Sequence, residues 1–408
     1  MAGEKLKAPR GTFDVLPGDG RRRLALARRA DDLLDAAGYG VIETPIFEST
    51  ELFARGVGET TDIVQKEMFT FEDMGGRSLT LRPEGTAAVV RAYLEHGMHK
   101  LPQPVKLRYN GPFFRHEAPQ AGRYRQFAQI GAEAIGSDDP SLDAELILLL
   151  HELLEGAQGI RLRIGSLGTP ETRREYSDDL RTYLRKHESD LSDEVKARID
   201  ANPLRAFDSD HRGTQAVMRD APRLLDRIAP GDAEHFGDVR GMLDAAEVPY
   251  EVDPTLVRGL DYYTRTVFEF TSDALGAQSG GAGGGRYDLL SEQLGGPSTP
   301  GVGWAAGVER ILLASGEAPV AEAEVEVFVA SENGIGAAEF KFLHDLRASG
   351  RRAAMEQAGR SIKGQLKQAN RLGAAKVVIV AAGEVRVRDM QSGDTQVVPT
   401  LEEAAELL

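Results

Sequence analysis

The chain has 408 residues, of which 41% are hydrophobic and 28% charged; its formal net charge is −15 and it contains no cysteine. That length accommodates two or three domains with separate cores, and the missing thiols exclude disulfides, thiol catalysis and Cys-ligated zinc. The acidic balance argues against a protein that coats nucleic acid through bulk electrostatics.

Met1 to Arg23 is of mixed charge and lacks the apolar stretch of a signal peptide, and no later segment approaches the roughly 18 apolar residues of a membrane helix. A cytoplasmic protein with no membrane partner is therefore expected. Residues 21–38 have helical periodicity and stop at Gly38, a suitable glycine just past a helix end. YGVIETPIFE reads as a strand, with Pro45 at an edge or interface. MFTFED and RSLTLR around Met74-Gly75-Gly76 predict a hairpin over 68–81, and a helix follows from Pro83 or Glu84 to His96. Val105–Phe114 and Tyr124–Ile135 read as paired strands joined by a polar loop with Pro119 and Gly122, and 141–157 as a helix. A charged, mostly helical stretch from about 168 to 248 has the look of an insertion, with sheet patterning resuming at Leu256–Thr271. The glycine-rich Gly276–Gly285 reads as a loop before a helical Arg286–Leu294, and GGPSTPGVGWAAGVERILLA passes from loop to strand to helix. SGEAPVAEAE (315–324) is a linker by composition, and the alternating strands and helices after it predict a small α/β domain.

Three segments carry chemistry. In the strand 126–135, alternation puts Phe127, Gln129, Gly131 and Glu133 on one face; that face is either the floor of a pocket for a polar ligand or the solvent side of a half-exposed sheet. The preceding FRHEAPQAGRYRQF gathers Arg115, Arg123 and Arg125 around a turn with Glu117 and Phe127. Guanidinium forks suit phosphate and an aromatic face can stack on a base, although a surface arginine cluster has the same composition. In LVRGLDYYTRTVFEF, alternation groups Tyr263, Arg265, Val267 and Glu269, with Arg258 before a glycine. GVGWAAG (301–307) has the wrong spacing for a dinucleotide loop, and GGAGGGR (280–286) lacks the Gly-Lys-Ser/Thr of a P-loop; both read as close backbone approach to a ligand or as tight turns. Arg310 follows GVGWAAGVE and can point at phosphate or form a structural ion pair. The eight histidines have no metal-ligand spacing. Nine basic residues lie between Lys341 and Lys376 against only Asp345 and Glu356, either a solvated face or one that meets a polyanion.

Together these segments resemble histidyl-tRNA synthetases over nearly the whole chain. VIETPIFE is similar to class II motif 1 at a dimer interface, FRHEAPQAGRYRQFAQIGAE to motif 2 and GVGWAAGVERILL to motif 3; LVRGLDYYTRTVFEF and AGGGRYD resemble the two histidine-binding signatures. The resemblance implies an α+β fold, with an antiparallel class II catalytic domain over 1–318 flanked by helices, the helical insertion (about 168–248) and a C-terminal α/β anticodon-binding domain over 325–408. It implies that Glu84, Thr86, Gln129, Glu133, Tyr263 and Tyr287 surround histidine. Arg115 would hold the ATP α-phosphate with Arg258 opposite, Arg310 the γ-phosphate, Glu117 and Arg123 would help position ATP, and Phe127 would lie beneath adenine. The implied partners are L-histidine, ATP with Mg²⁺, tRNA(His) and a second copy of the chain; no protein-ligated metal is expected. Gly276–Gly285 is expected to be ordered by histidine or its adenylate, since a glycine loop keeps high conformational entropy until contacts fix it. Two alternatives share parts of this pattern. The synthetase-like regulatory subunit of ATP phosphoribosyltransferase usually loses signature residues and the C-terminal domain, and the threonine, proline and glycine synthetases lack LDYYTRTVFE with GGGRYD.

Overall fold

The computed structural model describes residues 6–58, 61–118, 122–256, 259–275, 280–316 and 325–408, and the chain divides into two compact units, Met1–Ala318 and Pro319–Leu408. In chain order the first unit contains strands β1 (Gly40–Val41), β2 (Phe47–Ser49), β3 (Phe69–Glu72), β4 (Ser78–Leu81), β5 (Val105–Phe114), β6 (Gln126–Ile135), β7 (Ile160–Ser166), β8 (Glu251–Val252), β9 (Thr264–Ser272), β10 (Gly280–Arg286) and β11 (Gly301–Gly307).

Among the described residues, eight of these form one sheet in the order β1-β5-β6-β11-β10-β9-β7-β8. Its middle is antiparallel, and the short edge strands β1 and β8 run parallel to their neighbours. The strands β2, β4 and β3 make a separate small sheet containing the expected hairpin. One face of the large sheet buries Ile130, Ala132, Phe268, Phe270 and Trp304 under the helices Pro17–Ala36, Pro140–Leu153 and Pro230–Ala245. The other face carries Tyr109, Phe113, Tyr263, Val267 and Tyr287, packed with Val89, Val90 and Tyr93 of the helix Thr86–Glu95. Alternation along β6 divides the two faces as its sequence predicts.

Several details differ from the sequence reading. YGVIETPIFE is not one strand: β1 and β2 lie in different sheets, and the strand expected from Leu256 begins at Thr264. Gly280–Arg286 is not a loop or tight turn but an internal strand, paired with β9 and β11; Ala274–Leu275 of the expected loop's approach lie in a short 3₁₀ turn, and Gly276–Ser279 are outside the described residues. Arg286 ends β10, and only Leu290–Gln293 of the segment 286–294 is helical. Ile160, Leu162 and Ile164 alternate with Arg161 and Arg163, and form β7. Arg265 leaves the face of Tyr263 and Glu269: it has φ +43° beside a register shift between β9 and β10, and its Nε donates to Asp232 at 3.0 Å. Within the stretch 168–248, the helix Pro230–Ala245 packs Phe236, Val239 and Leu243 into the main core, whereas Tyr176, Leu180, Leu184 and Val217 continue the cluster on the opposite face.

The second unit holds β12 (Val327–Ser331), β13 (Ala353–Met355), β14 (Lys376–Ala381), β15 (Glu384–Asp389) and β16 (Thr395–Val398), in the order β13-β12-β14-β15-β16. Its inner strands are flanked by the helices Ala337–Ala348, Ile362–Arg371 and Leu401–Glu406. Val327 and Val329 point into one core and Phe328 and Ala330 into the other, so the sheet is covered on both faces. The basic stretch is narrower in space than in sequence. Arg347, Arg351 and Lys376 donate to backbone carbonyls of this unit and Arg360 pairs with Glu356. Lys363, Lys367 and Arg371 stand exposed at four-residue spacing along one helix.

Candidate active site

A cavity of about 300 Å³ opens on the Tyr263 face of the large sheet. Its floor is made by β6, β9, β10 and β11, and its walls by Glu84–Thr86, the turn after β5 and the segment Gly259–Tyr263.

The deep end is acidic and hydroxyl-rich. Glu84 precedes the helix Thr86–Glu95, and its carboxylate accepts from the amides of Thr86 at 2.8 Å and Ala87 at 3.0 Å. An anion placed on the free amides of a helix start is favoured by both hydrogen bonding and the helix dipole. Burial nevertheless raises the Glu84 pKa, with those amide bonds opposing it. Glu133 is wholly buried. The Thr86 hydroxyl donates to its Oε1 at 2.8 Å, Tyr109 reaches the same oxygen at 3.3 Å, and the Tyr287 hydroxyl donates to Oε2 at 2.7 Å. Burial pushes the Glu133 carboxyl up to about 8; the hydroxyls of Tyr287 and Thr86 oppose this, and the neighbouring charge of Glu84 adds to it.

The glycines make room for these groups. A Cβ at Gly131 would lie 2.2 Å from Tyr109 Cζ, and one at Gly301 2.3 Å from Tyr287 Cε2. Close backbone approach is thus the role of these positions, and what approaches is the chain's own polar floor.

The other end is cationic. Arg115 Nε donates to the Pro83 carbonyl at 2.9 Å, and the guanidinium carbon lies 5.5 Å from the Phe127 ring centre. Glu117 takes Arg123 at 3.0 Å and Arg115 at 3.7 Å. Arg310, near the start of the helix Val308–Ala314, is 9% exposed. Burial, then the charge of Arg123, lowers its pKa to about 10, so it stays charged at neutral pH. Like charges held close in a partly dry site are stabilised by an anion between them. Glu309 braces this end: its carboxylate accepts the Ala128 amide at 3.1 Å and pairs with Arg23 at 2.6 Å.

Of the residues implicated by sequence, Glu84, Thr86, Arg115, Glu117, Arg123, Phe127, Gln129, Tyr263 and Arg310 line this one cavity. Glu133 and Tyr287 lie directly beneath the lining, with the Glu133 carboxyl accepting from both Tyr287 and Thr86. Arg258 falls outside the described residues. Gln129 Oε1 is buried without a hydrogen-bond partner among the described residues, leaving an acceptor for a ligand. Tyr109, Glu309 and Tyr262 have no role assigned from the sequence; the Tyr262 hydroxyl reaches Glu84 at 3.4 Å and its ring lies 4.8 Å from Tyr263. The doubled tyrosine was the visible signal for Tyr262; nothing local marks the other two. Among the described residues no group of three or more His, Cys, Asp or Glu is placed to hold a metal, and no helix is long and apolar enough to cross a membrane.

The family model described as histidyl-tRNA synthetase matches residues 11–311. The histidine–tRNA ligase of Desulforamulus reducens is 48% identical over 400 residues, 95% of each chain, and that of Mycolicibacterium vanbaalenii 47% identical over 95% of this chain and 94% of its own. Among solved structures, apo histidyl-tRNA synthetase of S. aureus superposes with a TM-score of 0.81 at 37% identity over 99% of both chains. A protein of Bacillus halodurans described as an ATP phosphoribosyltransferase regulatory subunit/histidyl-tRNA synthetase superposes at 0.68 with 21% identity, covering 93% of this chain and 99% of its own, a likeness of fold alone. With the model match spanning the whole catalytic sheet and relatives near half identical end to end, the chain belongs to the histidyl-tRNA synthetase family.

Proposed function

We propose that this chain activates L-histidine with ATP to histidyl-adenylate and transfers the histidyl group to the 3′ end of tRNA(His). The observation that carries this is the polarity of one cavity: a buried acid–hydroxyl end built on Glu84, Thr86 and Glu133, and an arginine end built on Arg115, Arg123 and Arg310. Histidine lies at the acidic end. Glu84, Thr86, Gln129 and Tyr263 reach it directly, and Glu133 with Tyr287 forms the floor beneath its polar groups. ATP lies at the cationic end, with Arg115 on the α-phosphate and Arg310 on the γ-phosphate. Glu117 and Arg123 position it, and Phe127 lies beneath adenine.

The histidine carboxylate attacks the α-phosphorus, the bond to the β-phosphate oxygen breaks, and pyrophosphate leaves. The terminal ribose hydroxyl of tRNA then attacks the acyl carbon and AMP leaves. No protein nucleophile is required; positioning two anions and stabilising the extra charge of the transition state supply the rate. Arg258, from the same signature as Tyr263, is assigned to the α-phosphate opposite Arg115. Mg²⁺ enters with ATP and neutralises phosphate charge. The phosphates would be its main ligands; of the nearby carboxylates, Glu117 is engaged by Arg123 and Arg115, and Glu309 by Arg23 and the Ala128 amide.

The unit over 325–408 is assigned to the anticodon, supported by the exposed Lys363, Lys367 and Arg371, and the inserted helices to the acceptor arm. A homodimer through the motif 1 region is supported by the exposed apolar Ile46, Phe47 and Phe71. Cytoplasmic location follows from the same assignment. ATP–pyrophosphate exchange tested with each of the twenty amino acids decides the central reading. Histidine alone should support exchange; its failure with pure, folded protein would favour a regulatory paralogue.

A further inference from the structure

The inserted helices pack against the tyrosine segment of the amino-acid site and reach its backbone with the guanidinium of Arg173. Arg173, in the first turn of the helix Pro170–Lys186, extends its guanidinium to the backbone of the tyrosine segment. Nη1 donates to the Tyr263 carbonyl at 2.7 Å and Nη2 lies 3.4 Å from the Asp261 carbonyl. The surrounding chain is tied at the same place. The Leu167 amide donates to the Arg265 carbonyl at 2.7 Å, and the Arg265 amide to the Gly168 carbonyl at 2.9 Å. Asp232 accepts the Thr169 amide and Arg265 Nε, each at 3.0 Å.

We propose that Arg173 is a positioning residue for histidine activation, a fork that fixes the Asp261–Tyr263 backbone so that Tyr262 meets Glu84 and Tyr263 lines the cavity. The proposal rests on the reading of that cavity as the histidine site. A planar guanidinium spans carbonyls two residues apart with two fixed donors, a geometry that an ammonium cannot reproduce. Tyr262 sits between those carbonyls and Tyr263 bears one of them, so a backbone shift moves both rings directly. Displacements of about 1 Å remote from the chemistry can cost on the order of 10²-fold in rate. The inserted module is then part of the amino-acid site, independently of any contact with RNA.

The test compares wild type, Arg173→Met, Arg173→Lys and Arg185→Ala in histidine-dependent ATP–pyrophosphate exchange without tRNA, below the melting temperature of each. Arg185 pairs with Asp200 and Glu188 inside the same module. Arg173→Met should lower kcat/KM for histidine by roughly 10- to 100-fold with KM for ATP near wild type. Arg173→Lys should fall between, and Arg185→Ala should match wild type. In parallel, amide hydrogen exchange of the segment 259–264 should accelerate in Arg173→Met and less in Arg173→Lys. Unchanged histidine kinetics, equal losses for histidine and ATP, or unchanged hydrogen exchange would each overturn the proposal. Should the Met variant not fold, the Lys variant alone must show the histidine-specific loss and faster hydrogen exchange. The hydrogen-exchange arm needs no substrate, so its failure is separable from a wild type without histidine-dependent exchange, which would sink the proposed activity instead.

Discussion

A Cβ added to Gly303 would stand 1.7 Å from Glu133 Oε2: the glycine of β11 and the carboxylate of β6, cross-strand partners in the sheet, share one volume. Any side chain at 303 must displace the carboxylate that three hydroxyls hold. Gly303→Ala is therefore expected to lower kcat/KM for histidine in pyrophosphate exchange by at least the order of 10²-fold, with KM for ATP little changed. Overpacking should also destabilise the fold by about 1–3 kcal/mol, measurable by urea unfolding. Normal histidine kinetics in this variant would mean that the Glu133 carboxylate does not need its observed place.

Glu133 also makes stability depend on pH. Burial holds its carboxyl at about 8 in the folded chain, against 4.5 for an ordinary glutamate. Between those values the folded state keeps a proton that the unfolded chain has released. The stability contributed by this group is thus full below about pH 4.5 and is lost as pH rises through about 8. Glu133→Gln cannot titrate. Its melting temperature, taken relative to wild type, should climb as the buffer is moved from about pH 5 to about pH 8. A constant offset between the two proteins across that range would argue that Glu133 is ionised throughout.

The groups around Glu133 differ in how plainly the sequence marks them. The faces of β6 are legible because alternation of side chains is a local property, and it places Phe127, Gln129 and Glu133 together correctly. β10 is illegible by the same rule: five of its seven residues are glycine, and a strand without side chains has no period to read. The rule misleads at Arg265, where a bulge resets the alternation that puts Tyr263 and Glu269 on the site. Partners distant in sequence leave no local mark at all. Tyr109 and Tyr287 meet Glu133 across 24 and 154 residues, and only the sheet order brings them together. Tyr287 enters the sequence reading through the family signature, and Tyr109 has no such motif.

Arg258 carries the largest expected effect on chemistry alone. Its assignment comes from LVRGLDYY, immediately before the segment that Arg173 holds. A fixed cation beside the α-phosphorus stabilises charge that develops only in the transition state, and removing one such contact costs about 10²–10³ in rate. Arg258→Ala should therefore lower kcat for exchange by that order while changing KM for histidine much less. Near-normal exchange would remove Arg258 from the reacting centre.

The buried pair behind the histidine signature should behave differently, as a structural element that reaches the site through its neighbour. Arg286 and Asp143 are both fully buried, with Nε to Oδ2 at 2.8 Å. The remaining guanidinium nitrogens are taken by Asp288 at 3.1 Å and by the carbonyls of Ser137 and Asp139 at 3.2 and 3.0 Å. Removing one partner of such a pair strands the other charge in the core, typically at a cost of about 3–5 kcal/mol, whereas replacing both by apolar residues is often near neutral. Arg286→Met alone should therefore be strongly destabilising in urea unfolding, and Arg286→Met with Asp143→Leu should recover much of the loss. The adjacent Tyr287 anchors Glu133, so KM for histidine should rise in the single variant even where it remains folded. Additive unfolding energies in the double-mutant cycle would show that the two charges do not depend on each other. An unchanged histidine KM would show that the strand end holds Tyr287 in place without them.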